Sequence, residues 1–121
     1  MSGIKTKSKL IYDTIHHYMK LSPLCIQIID TSIFKRLKNL KQLGIACEVF
    51  PGATHTRFEH SIGVCYLAGK MIRSIAKHQP NLNISKRSIE LIEIAALCHD
   101  LGHGPFSHLF DNYVLSKLDI Q

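Results

Sequence analysis

Tryptophan is absent from the sequence, and no apolar run approaches the roughly 20 residues that a membrane-spanning helix needs. A spanning segment is therefore not expected. Cysteine is sparse and scattered: Cys25, Cys47, Cys65 and Cys98 never form a Cys-x-x-Cys pair. The apolar stretch Leu10-Ile11-Tyr12 follows Lys5, Lys7 and Lys9 but is broken at once by Asp13, His16 and His17, so it is no secretory h-region. Reduced thiols in an intracellular setting, cytoplasmic or nuclear, fit this pattern. With seven glycines and four prolines spread along the chain, there is no long linker, repeat or low-complexity run. Acidic residues are also few, nine against fifteen lysines and arginines, and the net charge of +6 calls for an anionic partner. Nucleotides are the economical choice. Nucleic acid ranks lower, because no aromatic-studded strand accompanies the charges.

What is present reads as one helical domain. Hydrophobic residues make up 45% of 121 positions, enough for a modest core. Helical spacing of apolar residues predicts helices near Pro23 to Leu43, Thr56 to Lys77, Ser85 to Leu101 and Ser107 to Leu118. A short extended or irregular segment precedes them from Leu10 to Leu21, and Pro80-Asn81 separates the second helix from the third. The expected class is all-α. Lys35, Arg36, Lys38 and Lys41 crowd one predicted helix beside Ile33, Phe34, Leu37 and Leu40, as a nucleotide-binding face or simply a solvated one.

The densest chemistry lies in Cys98-His99-Asp100-Leu101-Gly102-His103-Gly104-Pro105-Phe106-Ser107-His108. Imidazole and carboxylate together suit Zn, Fe or Mn. Adjacent residues on a helix point about 100° apart, so His99 and Asp100 can share an ion only where the helix ends. Gly102 is placed to end it, and Ile89, Ile92, Ala95, Ala96 and His99 form a stripe that puts His99 on the buried face. The bland alternative is a core histidine satisfied by its neighbouring aspartate. Upstream, Arg57 and His60 lie three residues apart on one face of the preceding helix. A histidine from that helix meeting His99 and Asp100 would give three ligands to one ion. Arg57 would offer a planar fork for phosphate oxygens, unless it forms a surface salt bridge with Glu59 or Glu93.

Six ordered stretches resemble the HD-domain phosphohydrolases, and within them the deoxynucleoside triphosphate triphosphohydrolases that join an HD domain to a sterile-alpha-motif domain. They are Ile28-Ile29-Asp30-Thr31, Lys41-Gln42-Leu43-Gly44, Val49-Phe50-Pro51-Gly52-Ala53, Arg57-Phe58-Glu59-His60-Ser61, Tyr66-Leu67-Ala68-Gly69 and Leu97 through His108. The resemblance implies an HD-domain helical bundle. It further implies that residues 1–121 are the N-terminal part of a single HD domain, truncated at the C-terminus, with no sterile-alpha-motif domain. His60, His99 and Asp100 would bind a divalent transition metal, and Arg57 would touch substrate or metal shell. The family's fourth ligand is a downstream aspartate that neither Asp111 nor Asp119 matches; Asp111 reads instead as a helix-start residue. His103 and His108 resemble catalytic-pocket histidines able to stabilise phosphate charge or protonate a leaving oxygen. Gln42 and Leu43 resemble contacts to deoxyribose, and Asp30 resembles a reader of a regulatory guanine nucleotide, or else is an N-cap. Lys35 and Lys38 replace a glutamine and an arginine of the relatives, and Tyr12 an asparagine, departures that weigh against that regulation.

The implied activity is metal-dependent cleavage of a deoxynucleoside triphosphate to deoxynucleoside and triphosphate. Two other readings remain. One is a non-catalytic truncated module that binds nucleotide or partner, as a homo-oligomer or on a longer HD-domain subunit. The other is a phosphohydrolase acting on a different phosphoester, against which Gln42-Leu43 argues.

Overall fold

The computed structural model describes residues 7–118. Lys5 and Asp119, named above, lie outside the described residues, as do the first and last few positions of the proposed domain.

The chain opens with an antiparallel hairpin, β1 (Lys9–Asp13) and β2 (His17–Leu21), paired from Lys9 opposite Leu21 to Asp13 opposite His17. Asp13 makes the turn: its Oδ2 accepts the backbone N–H groups of Ile15 at 2.9 Å and His16 at 2.8 Å. These hydrogen bonds hold its carboxyl below the usual carboxylate range, the one from His16 most strongly. The fold is thus predominantly helical with one small sheet, where the sequence suggested only helices after an extended or irregular start.

The single helix expected from Pro23 to Leu43 is instead broken into pieces. Ser22 caps α1 (Pro23–Ile29) by accepting from the Cys25 N–H, and proline at the first helical position suits that start. Thr31 then caps α2 (Ser32–Lys35), its hydroxyl oxygen accepting from the Phe34 N–H at 3.2 Å. Two 3₁₀ turns follow, Arg36–Asn39 and Gly44–Glu48. A capping threonine inside an apolar run restarts the chain direction, which periodicity alone does not show. Asp30 is therefore not an N-cap. It ends α1 and pairs with Lys35 at 3.5 Å on the exposed surface.

Helix α3 (Arg57–His78) is the long scaffold. Its start is a capping box in which Glu59 accepts from the Thr56 N–H at 2.8 Å. Pro80–Leu82 forms the expected break, and Ser85 caps α4 (Lys86–Cys98) through the Ser88 N–H at 3.0 Å. The two long helices pack closely at Gly69, where a Cβ would overlap the Glu93 carboxylate that pairs with Arg73 at 2.6 Å. The last segment, expected as a helix from Ser107 to Leu118, is helical over 108–117, with a π-helical stretch at Phe110–Leu115. One core joins hairpin and helices: Met19, Leu21, Cys25, Ile26, Ile29, Phe34, Leu37, Ile62, Cys65 and Leu97.

Candidate metal centre

Helix α4 stops at Cys98, and Gly102 does not adopt the left-handed conformation that would make it the terminating residue. Arg36 takes over the role. Its guanidinium donates to the carbonyl of His103 at 2.8 Å and to that of Leu101, placing a cation on carbonyls just beyond the helix end. Arg36 is thus part of the site's frame and not of a free basic face. Lys38, from the same run, lies over the Phe58 ring at 4.7 Å.

With the helix ended there, His99 and Asp100 turn toward α3. His60 Nε2 lies 3.3 Å from His99 Nε2 and 3.3 Å from Asp100 Oδ2, and His99 Nε2 lies 3.4 Å from the same oxygen. Two ligand atoms at bonds near 2.0–2.1 Å and a tetrahedral angle apart would be separated by roughly 3.3 Å. The triangle therefore has the edge length that three ligands of one ion require. Its electrostatics agree. His99 Nδ1 contacts the Ala96 carbonyl at 2.6 Å, an interaction that needs the ring proton on Nδ1 and leaves Nε2 bare. Burial pushes the His60 imidazole below its usual range; Asp100 opposes this, while His99 and Arg57 add to it. Lone pairs and a carboxylate oxygen converge on one point, and a cation there removes their repulsion. His99 itself is exposed, contrary to the buried face expected from the stripe; Leu97 and Asp100 are the buried residues of that stretch.

Arg57 and Asp100 are the buried charged residues of this region, 2% and 7% exposed. Arg57 Nη1 donates to Asp100 Oδ2 at 2.7 Å and its Nε to Ser107 Oγ at 2.7 Å. The arginine expected on a phosphate thus has two of its nitrogens committed beneath the triangle, and the salt bridges considered with Glu59 and Glu93 are not formed. Phe106 and Ser107 reach this geometry through two successive left-handed residues, φ 61° and 52°. Each costs on the order of 1 kcal/mol for a non-glycine residue, so the turn that aims Ser107 inward is held by its contacts.

Beside the triangle lies a second group, His103, His108 and Asp111. His103 Nδ1 and Asp111 Oδ2 are 2.6 Å apart, while His103 Nε2 is 3.5 Å from Asp100 Oδ1. The His103 and His108 rings meet edge-on at 4.8 Å. His108 also lines a cavity of about 340 Å³ with Gln42, Leu43, Ser107 and Phe106. Gln42 Oε1 is buried without a hydrogen-bond partner, an acceptor waiting for a donor. The structure so brings His60, His99, Asp100, Arg57, His103, His108, Gln42 and Leu43 into one region, and leaves Asp30 on the exposed surface at the end of α1. Sequence reasoning missed Arg36 and Ser107 as frame residues and the pairing of Asp111 with His103. An arginine set between the apolar Phe34 and Leu37 was the available signal for the first.

Comparison with known proteins places the chain in a family. The HD domain pattern matches residues 57–120, more than half of the chain, and the chain belongs to the HD-domain family. It is 58% identical over 109 residues to the mouse (Mus musculus) deoxynucleoside triphosphate triphosphohydrolase SAMHD1, covering 90% of this chain and 17% of that protein. The bovine (Bos taurus) protein of the same name is 56% identical over 111 residues, covering 92% of this chain and 19% of the relative. A Dictyostelium discoideum homolog is 52% identical over 110 residues, 91% of this chain and 21% of its own length. The chain spans about a fifth of the length of these curated relatives. No helix among the described residues is long and apolar enough to cross a membrane.

Proposed function

We propose that this chain carries the metal-binding half of a deoxynucleoside triphosphate triphosphohydrolase site, with Zn, Fe or Mn held by His60, His99 and Asp100. The observation that supports the reading most is the triangle of donor atoms 3.3–3.4 Å on a side. The bound ion would supply Lewis acidity toward a phosphoryl oxygen and acidify water beside it. The chain's own residues do the remaining work. Arg57 holds the Asp100 carboxylate in place, and the Ala96 carbonyl holds the His99 ring. Asp111 orients His103, whose Nε2 faces the site and can balance phosphate charge. His108, on the wall of the neighbouring cavity, is placed to give a proton to the leaving 5′-oxygen. Gln42 Oε1 would accept from a sugar hydroxyl, and Leu43 would pack on the sugar edge where a ribose carries its extra hydroxyl. Arg57 acts on substrate through Asp100, so it is a positioning residue here. Asp30, exposed and paired with Lys35, would bind guanine nucleotide only by surrendering that pair.

The reading also proposes that residues 1–121 form part of one HD domain whose substrates are deoxynucleotides, in an intracellular setting, self-associated or joined to a longer HD-domain subunit. The test is elemental analysis of the purified chain after loading with Mn, Fe or Zn, alongside His99→Ala. About one ion per chain in the wild type and almost none in the variant is expected. Equal metal in both would sink the assignment. Competition by dATP over ATP for the loaded protein tests the substrate class separately.

A further inference from the structure

Two cysteines play no part in the site just described and yet meet in the core. Cys25 of α1 and Cys65 of α3, forty residues apart in sequence, lie with their Sγ atoms 3.9 Å apart. Both side chains are essentially inaccessible, 0% and 1% exposed. All four cysteines are free thiols, and neither Cys47 nor Cys98 has a second sulfur in such contact. We propose that Cys25 and Cys65 form a redox-sensitive pair, joined by a small peroxide into a disulfide that ties α1 to α3.

The geometry needs little change. Closing the gap to a bond near 2.0 Å asks for a combined approach of roughly 2 Å, within reach of side-chain rotation and a small shift of a seven-residue helix. The shared proton favours it as well. The contact with Cys65 draws the Cys25 thiol below its usual range, and the same contact together with burial pushes Cys65 up, so Cys25 is the sulfur that becomes thiolate. That thiolate attacks one oxygen of hydrogen peroxide, the O–O bond breaks, and hydroxide leaves to take a proton as water. Cys65 then attacks the Cys25 sulfenic sulfur, the S–O bond breaks, and a second water leaves with the Cys65 proton. Two thiols are oxidised by two electrons and one peroxide is reduced to two waters. A buried pair restricts the reaction to oxidants of about water's size, which separates it from exchange with bulky disulfides. Because α3 also carries Arg57 and His60, the crosslink fixes the ligand-bearing helix against α1.

The test uses the full chain. After treatment with a slight excess of hydrogen peroxide and quenching with catalase, the protein is denatured, alkylated and digested. Four alkylated cysteines before treatment should fall to two, with the Cys25 and Cys65 peptides recovered as one linked pair that dithiothreitol separates. Recovery of Cys25 and Cys65 both alkylated while Cys47 or Cys98 is oxidised would overturn the proposal. So would recovery of the two as separate sulfinic acids. The measurement needs no variant and no activity, so it stands apart from the metal assignment.

Discussion

Two groups with the same composition, two histidines and one aspartate, lie side by side in this protein and differ in spacing. In His60, His99 and Asp100 the three donor atoms stand 3.3–3.4 Å apart. In His103, His108 and Asp111 one pair has closed to 2.6 Å. The first distance is one that three ligands around a single ion would also have; the second is that of a short hydrogen bond. Composition alone would assign both groups the same chemistry. The difference arises from framing: Arg57 holds Asp100 and the Ala96 carbonyl holds His99, whereas Asp111, in the first turn of the Phe110–Leu115 segment, directs its carboxylate straight onto His103.

Removing Asp100 should separate the two groups most sharply. Asp100→Ala takes one of the three proposed ligands from the triangle and leaves Arg57 as a buried cation without its carboxylate partner, a change that typically costs about 3–5 kcal/mol. Loss of bound metal by elemental analysis and a fall in Tm of the metal-free protein are both expected. His99→Ala is the cleaner half of the experiment. Its side chain is 38% exposed, so metal should be lost while the apo-protein Tm stays within a degree or two. If His99→Ala retained metal, the ion would have to be held elsewhere, with the His103 group the first place to look.

Asp111→Asn should do the reverse. Metal content is expected to stay at the wild-type level, while the His103 ring loses its carboxylate partner and shows mixed tautomers by ¹⁵N NMR. Metal loss in this variant would erase the distinction between the groups. Gln42→Ala should have a smaller effect still: a lost hydrogen bond of about 0.5–1.5 kcal/mol, read as a roughly two- to tenfold weaker dATP competition with metal binding unchanged.

The hairpin offers the smallest expected effect and a pH signature. The folded Asp13 carboxyl is held below its unfolded value, so its contribution is present above about pH 4 and is lost as pH falls through the lower folded value. Wild type and Asp13→Ala should therefore differ by less than about 1 kcal/mol near neutrality and converge in strong acid. Denaturant midpoints measured from pH 7 downward check this. A difference that grew toward acid would mean that the carboxylate is not what holds the turn.

The parts of this structure legible in the sequence are those governed by local rules. Helix α3 could be read from its stripe and from Thr56-x-x-Glu59, and α4 from Ser85 and its apolar spacing. The His99-Asp100 pair stood out because its residue types suit metal and the chain had to turn just beyond it. What escaped was non-local. The run from Pro23 to Leu43 has helical spacing throughout, yet Thr31 caps a new helix within it, and local periodicity carries no record of a change in direction. Gly102 looked like the end of α4, but the carbonyls there are satisfied by Arg36 from far upstream. Exposure of His99 followed from the same surprise. Once the helix stops at Cys98, facing residues are set by the turn and not by the stripe.

Arg36 also dictates an order of events. Its partners are the carbonyls of Leu101 and His103, and those of Arg57 are Asp100 and Ser107, separations of 65, 67, 43 and 50 positions. Contacts so distant along the chain close late, after hairpin and helices have formed, because the loop entropy must be overcome first. A chain synthesised from its N-terminus holds one arginine destined for the interior, Arg57, and a half-buried one, Arg36, with nothing yet to neutralise or satisfy them. Until about residue 107 has left the ribosome, the nascent protein is a scaffold with its keystone missing.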